Sequence, residues 1–84
     1  MEFLLVIFDD IREVLVGGKP KGKTNLVIEL PAGLHTVTLG PPFDFSPLDQ
    51  TIRLRNTAPI DPYRIVFQRL PPAAIPLSPG SDPA

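Results

Sequence analysis

Gly17-Gly18-Lys19-Pro20-Lys21-Gly22-Lys23-Thr24 fits the phosphate-loop pattern, a glycine and four free positions before Gly-Lys-Thr, without a mismatch. The residues after Thr24 decide the fold. A phosphate cradle works because glycine amides wrap the phosphates, the lysine reaches the outer ones and the hydroxyl holds magnesium. A helix must also begin there, with the positive end of its dipole toward the anion. After Thr24 the chain instead runs Asn25-Leu26-Val27-Ile28-Glu29-Leu30-Pro31, which alternates, favours β structure and closes on a proline. A strand is predicted there, so the octapeptide reads as a hairpin connection. Gly17, Gly18 and Gly22 supply backbone freedom, Pro20 stiffens the tip, and Lys19, Lys21 and Lys23 keep it soluble and discourage edge pairing.

Upstream, residues 3 to 8 (Phe-Leu-Leu-Val-Ile-Phe) are apolar without alternation, the pattern of a central strand buried on both faces. This run ending in Asp9-Asp10 imitates the magnesium-positioning strand of nucleotide hydrolases, but it precedes the loop instead of coming after it. Residues 11 to 16 form the next strand, with Arg12, Val14 and Val16 sharing a face, and residues 26 to 30 are its expected hairpin partner. Downstream, Pro31-Ala32-Gly33 is a tight turn, and residues 34 to 39 make a strand with His35, Val37 and Leu39 on one side. Residues 40 to 47 are a proline-stiffened loop whose Phe43 and Phe45 are expected to fold back onto the core edge. Residues 50 to 56 and 63 to 69 alternate cleanly, each with one wet face.

Among these segments no stretch of ten or more residues carries an apolar 3.6 period free of Pro and Gly, so no long helix is predicted. The doubly wound fold of a nucleotide hydrolase needs parallel strands joined by long crossovers, and these segments supply none. The expectation is all-β: a small antiparallel fold of about six to seven strands over residues 1 to 70. Residues 71 to 84, with five prolines, read as a disordered, proline-rich tail.

Composition narrows the function classes. The 84 residues hold one domain with a marginal core, for which self-association is an ordinary remedy. Twelve prolines exclude a helical bundle, while 43% hydrophobic content argues against disorder. A net charge of −1 gives no global pull toward nucleic acid or anionic membranes. Without cysteine there is neither a thiol nucleophile nor a zinc-thiolate site, and neither a bilayer-length apolar run nor a basic leader is found. A cytoplasmic, non-enzymatic protein without cofactor or metal is expected.

Read as a hairpin, Val14-Leu15-Val16-Gly17-Gly18-Lys19-Pro20-Lys21-Gly22-Lys23-Thr24-Asn25-Leu26 resembles the core of the PEGA domain, whose pattern runs strand, Asp-Gly-Lys, short tip, Gly-x-Thr-Pro, strand. The likeness continues through an alternating strand, the Pro31-Ala32-Gly33 turn and the Leu34-His35 strand opening, so that residues 14 to 39 carry it. Gly17 stands where the family has Asp or Asn, and Asn25 where it has Pro. The resemblance implies that the six to seven strands form a small antiparallel, immunoglobulin-like β-sandwich, and that the chain is a non-catalytic module acting through protein or self-association, in a family common in surface and envelope proteins. Polysaccharide or envelope binding is the further possibility it brings.

Candidate ligand-binding residues are Lys19, Lys21 and Lys23, whose loop amides could hold a phosphate or nucleotide weakly, and Arg53 and Arg55, which with Thr51, Thr36 and Thr38 could form a polar platform. His35 has no second histidine and is expected to be a hydrogen-bonded strand residue. Asp9, Asp10 and Glu13 lack the oxygen-rich, glycine-containing loop of a calcium site and read as a strand-end turn. Phe43, Phe45 and Tyr63 are assigned to the core.

Overall fold

The computed structural model describes residues 1 to 71, so the tail expected over 71 to 84 lies, except for Pro71, outside the described residues. The described chain is all-β, with nine strands: β1 (Glu2–Ile7), β2 (Glu13–Val16), β3 (Lys19–Lys23), β4 (Val27–Leu30), β5 (Gly33–Leu39), β6 (Phe45–Ser46), β7 (Gln50–Leu54), β8 (Tyr63–Val66) and β9 (Gln68–Arg69). They form a three-stranded sheet β4-β1-β8, a four-stranded sheet β3-β2-β5-β7 and a two-stranded ribbon β6-β9. The sandwich expected from the sequence is the architecture found. The strand count is higher because β6 and β9 are only two residues each, and one pairing departs from antiparallel: β1 runs parallel to β8.

Hydrophobic alternation explains the layering. Leu4 and Val6 of β1, Val14 and Val16 of β2, Val37 and Leu39 of β5 and Ile52 and Leu54 of β7 turn inward and are buried together with Phe45 and Phe67. Burying these side chains between two sheets is the main stabilising term for so small a chain. β1 is central, as its composition suggests, but only one of its faces reaches the core: Phe3, Leu5 and Ile7 on the other are half-buried.

The glycine-rich octapeptide is a tighter structure than a loop. Only Gly17 and Gly18 turn, with φ of 60° and 82°, the pair of positive values that a two-residue hairpin of matching twist requires. Lys19 already pairs with Val16, and Pro20, far from a tip, sits opposite Leu15 in the edge strand β3, where a missing amide costs no ladder bond. The hairpin partner of β2 is therefore β3, not the segment around residues 26 to 30. That segment is β4, and it pairs with β1 in the other sheet. The crossing occurs at Thr24-Asn25, where the Thr24 amide donates to the Arg12 carbonyl at 2.8 Å, the Asn25 amide donates to the Val6 carbonyl at 2.7 Å, and Asn25 takes φ of 65°.

Candidate interaction surface

The outward face of β3-β2-β5-β7 is built by register. Leu15 stands opposite Thr38, Thr36 opposite Thr51, and Leu34 opposite Arg53, all on the side away from the core. The Thr36 and Thr51 hydroxyls lie 3.1 Å apart, and the Thr38 hydroxyl donates to the Leu48 carbonyl, which draws the segment after β6 against the sheet. Between that segment and the β2-β3 turn lies an open hollow of about 320 Å³, lined by Gly18, Thr36, Thr38, Phe43, Leu48 and Asp49. Phe43 and Leu48 are 66% and 62% exposed. The core role expected for Phe43 is thus corrected: its ring leans on Phe45 at 6.2 Å between centroids and otherwise faces solvent. Tyr63 is likewise 41% exposed and belongs to the surface, whereas Phe45 is buried and packs edge-on against both Phe8 and Phe67.

The five basic residues singled out from the sequence fall into two separate groups. Lys19, Lys21 and Lys23 line the edge strand β3, while Arg53 and Arg55 stud and follow the opposite edge strand β7. They do not converge on one ligand. They do share a property: of the eight Lys and Arg side chains, Arg12, Arg64 and Arg69 stand in ion pairs, and among the described residues these five do not. The polar platform is brought together on one side only, where Arg53 adjoins Leu34 and the Thr36-Thr51 pair.

The phosphate-loop reading loses its groups one by one. Gly17 donates its amide to the Thr36 carbonyl at 3.0 Å. Thr24 is buried, and its hydroxyl donates to the Asp10 carbonyl at 2.6 Å while accepting the Arg12 amide at 2.8 Å. The next element is the strand β4, where a cradle would need a helix.

His35 Nε2 lies 2.7 Å from the Pro31 carbonyl, which can only accept, so that nitrogen carries the proton and the ring caps the β4-β5 turn. Asp9 and Asp10 face a cation already supplied by the chain. Arg69 Nε donates to Asp9 at 2.8 Å, Nη1 donates to Asp44 at 2.7 Å, and Nη2 stands 3.5 Å from Asp10. Arg12 donates to Asp44 Oδ2 at 3.1 Å and to the Pro42 carbonyl at 3.1 Å, and both guanidiniums approach the Phe8 ring, at 5.3 and 5.0 Å from its centroid. Arg69 holds the Asp9 carboxyl below the usual carboxylate range, and Asp9 raises Arg69 in return. This network closes one end of the sandwich, and sequence reading missed it because its members are as much as 60 residues apart. Among the described residues no group of three or more His, Cys, Asp or Glu is placed to hold a metal, and no helix is long and apolar enough to cross a membrane.

Neither a protein-family model nor a curated protein nor a solved structure matches the chain.

Proposed function

We infer that the chain is a non-catalytic interaction module, of the kind its resemblance to PEGA domains implies, and that it takes a protein partner on the outward face of β3-β2-β5-β7. One observation carries this reading: among the described residues five cations without an ion pair lie along the two edge strands of a single sheet, Arg53 on its outward face, with an apolar hollow walled by exposed Phe43 and Leu48 between those edges. Protein-binding patches combine an aromatic or aliphatic anchor at the centre with a polar rim that steers approach. The complementary partner presents an apolar projection for the hollow and carboxylates for Arg53 and Arg55.

A weaker reading is supported by the lysines alone. Lys19, Lys21 and Lys23, without an ion pair among the described residues, would attract a phosphate or nucleotide as a diffuse, salt-sensitive field, since the amide and hydroxyl of a true cradle are engaged elsewhere. An envelope polysaccharide stacking on Phe43 is a third, and it requires the protein outside the cytoplasm.

Photo-crosslinking tests the leading reading. A photoreactive residue at position 43 is expected to capture a protein partner, with capture reduced by Arg53→Glu and Arg55→Glu together and by added salt. The same probe at position 60, where Ile60 is 92% exposed but off this face, serves as the control. Equal capture from both positions, or capture indifferent to the charge reversal, sinks it.

A further inference from the structure

The opposite outer face, that of β4-β1-β8, is apolar in a way that a solvent-facing sheet is not. Phe3, Leu5 and Ile7 run down its centre, half-buried. Val27, opposite Leu5 on β4, and Val66, opposite Ile7 on β8, are each 47% exposed. An open antiparallel face normally alternates to polar, and a strand apolar on both sides is the mark of one covered on both sides. Among the described residues the fold covers one side of β1. The sequence of β1 is written for two.

Two charged residues interrupt this face, and their placement selects the occupant. Glu29 stands beside Phe3 on β4, and Arg64 stands beside Leu5 on β8, on opposite flanks of the apolar centre. Glu29 has no ion-pair partner among the described residues, and Arg64 makes a 3.5 Å contact with exposed Asp61 and a 3.4 Å bond to the Pro62 carbonyl, both within its own turn. A two-fold axis parallel to β1, lying in the plane between two such faces, lays β4 of one copy over β8 of the other. Glu29 of each copy then faces the flank that carries Arg64. The two positions are offset by two residues along the strands, about 7 Å, across an intersheet gap of about 10 Å, which these long side chains span together. The surface is self-complementary in both shape class and charge, as an isologous contact must be.

We propose that a second copy of this chain covers the β4-β1-β8 face, forming a two-fold dimer through Phe3, Leu5, Ile7, Val27 and Val66 with reciprocal Glu29-Arg64 contacts. The dimer deepens the interaction reading by leaving the opposite, cationic face of each copy free for the partner. A six-residue central strand flanked by two four-residue strands, spaced about 4.8 Å apart, gives a face of at most roughly 15 by 20 Å, well under the area of a tight interface, so the dimer is weak and concentration-dependent.

Sedimentation equilibrium from about ten micromolar to one millimolar reads it. The wild-type mass is expected to rise toward twice the monomer across that range. Glu29→Arg and Arg64→Glu, both at surface positions that leave the core intact, each move the transition at least about tenfold higher in concentration. An equimolar mixture of these two variants regains association, because each interface then joins a Glu29→Arg copy to an Arg64→Glu copy and both charged contacts are again opposite in sign. Val27→Lys weakens the dimer without rescue by mixing. A wild-type monomer at one millimolar overturns the proposal. So does association that none of these changes affects, which would move the contact to another surface while leaving the partner-binding reading of the other sheet intact. A mixture no stronger than either variant alone also overturns it.

Discussion

The side chain of Asn25 pairs with both backbone groups of Phe8: Nδ2 donates to the Phe8 carbonyl at 2.9 Å, and Oδ1 accepts the Phe8 amide at 3.1 Å. The side chain thus mimics one more rung of the β1-β4 ladder, at the point where the chain leaves one sheet for the other. The φ of 65° at Asn25 is a left-handed conformation that asparagine tolerates and proline, fixed near −65°, cannot adopt. Asparagine therefore has a specific local use at this position.

Substitutions at Asn25 should rank by what they remove. Asn25→Gly keeps the backbone conformation but loses both hydrogen bonds, a cost of about 1–2 kcal/mol. Asn25→Ala adds the strain of a left-handed alanine, about 1 kcal/mol more. Asn25→Pro should prevent folding at this crossing altogether. Urea unfolding gives the order directly, as a falling midpoint with an unchanged slope, and an Ala variant as stable as wild type would contradict it.

Gly22 is held by crowding, with no need for a positive φ. A Cβ added there meets Ile28 Cγ1 at 2.7 Å and Cδ1 at 3.0 Å, because β3 closes against β4 at one corner of the sandwich. Gly22→Ala is expected to destabilise by about 1–3 kcal/mol through overpacking. Ile28→Ala removes the crowding atoms and costs its own cavity, so the double variant should be more stable than the sum of the singles by about 1 kcal/mol or more. Strict additivity in that cycle would show that the contact is not the cause.

How far the sequence reveals this arrangement depends on which physical signal each part leaves. Ile52 and Leu54 alternate with Thr51, Arg53 and Arg55, and β7 buries the first pair and exposes the rest, because period two is itself the sidedness of a strand. Pro31-Ala32-Gly33 reads as a turn for the same direct reason, and Gly33 takes φ of 125°. Lys19-Pro20-Lys21-Gly22-Lys23 leaves no apolar period at all. It is a strand only because β2 offers a ladder edge, and missing it assigned β4 to the wrong neighbour. Alternation says which face is wet and not which strand lies alongside. Among the described residues Asp9, Asp10 and Asp44 pair with Arg12 and Arg69, while Lys19, Lys21, Lys23, Arg53 and Arg55 stand in no ion pair, and nothing local in the sequence announces that distribution.

The octapeptide should be inert toward nucleotides as a cradle. With the Gly17 amide bound to Thr36 and the Thr24 hydroxyl bound to Asp10, ATP with magnesium is expected to leave the amide resonances of Gly18, Gly22 and Lys23 in place at millimolar concentration. Any small drift from the unpaired lysines should vanish with added salt, as screened attraction does. Saturating, salt-resistant shifts at these three residues would restore the phosphate-binding reading.

Acid should loosen the chain through two carboxylates. The Thr57 hydroxyl and amide donate to Glu2 Oε1 at 2.5 and 2.8 Å, and Thr57 Oγ1 accepts the Phe3 amide at 2.7 Å, clamping the start of β1 to the β7-β8 connection. The Thr57 hydroxyl bond is the largest cause holding Glu2 below its ordinary pKa, and the Arg69 bond does the same for Asp9. Groups whose pKa is depressed in the folded chain stabilise it above their unfolded values, near 4, and that stability is lost as the pH falls through the folded values. Melting temperature should therefore be level from about pH 7 to 5 and decline below about pH 4. Glu2→Gln combined with Asp9→Asn removes both titrations, so the variant should start lower at neutral pH and lose less on acidification. A variant whose melting temperature falls as steeply below pH 4 as the wild type would show that Glu2 and Asp9 are not the source of the acid sensitivity.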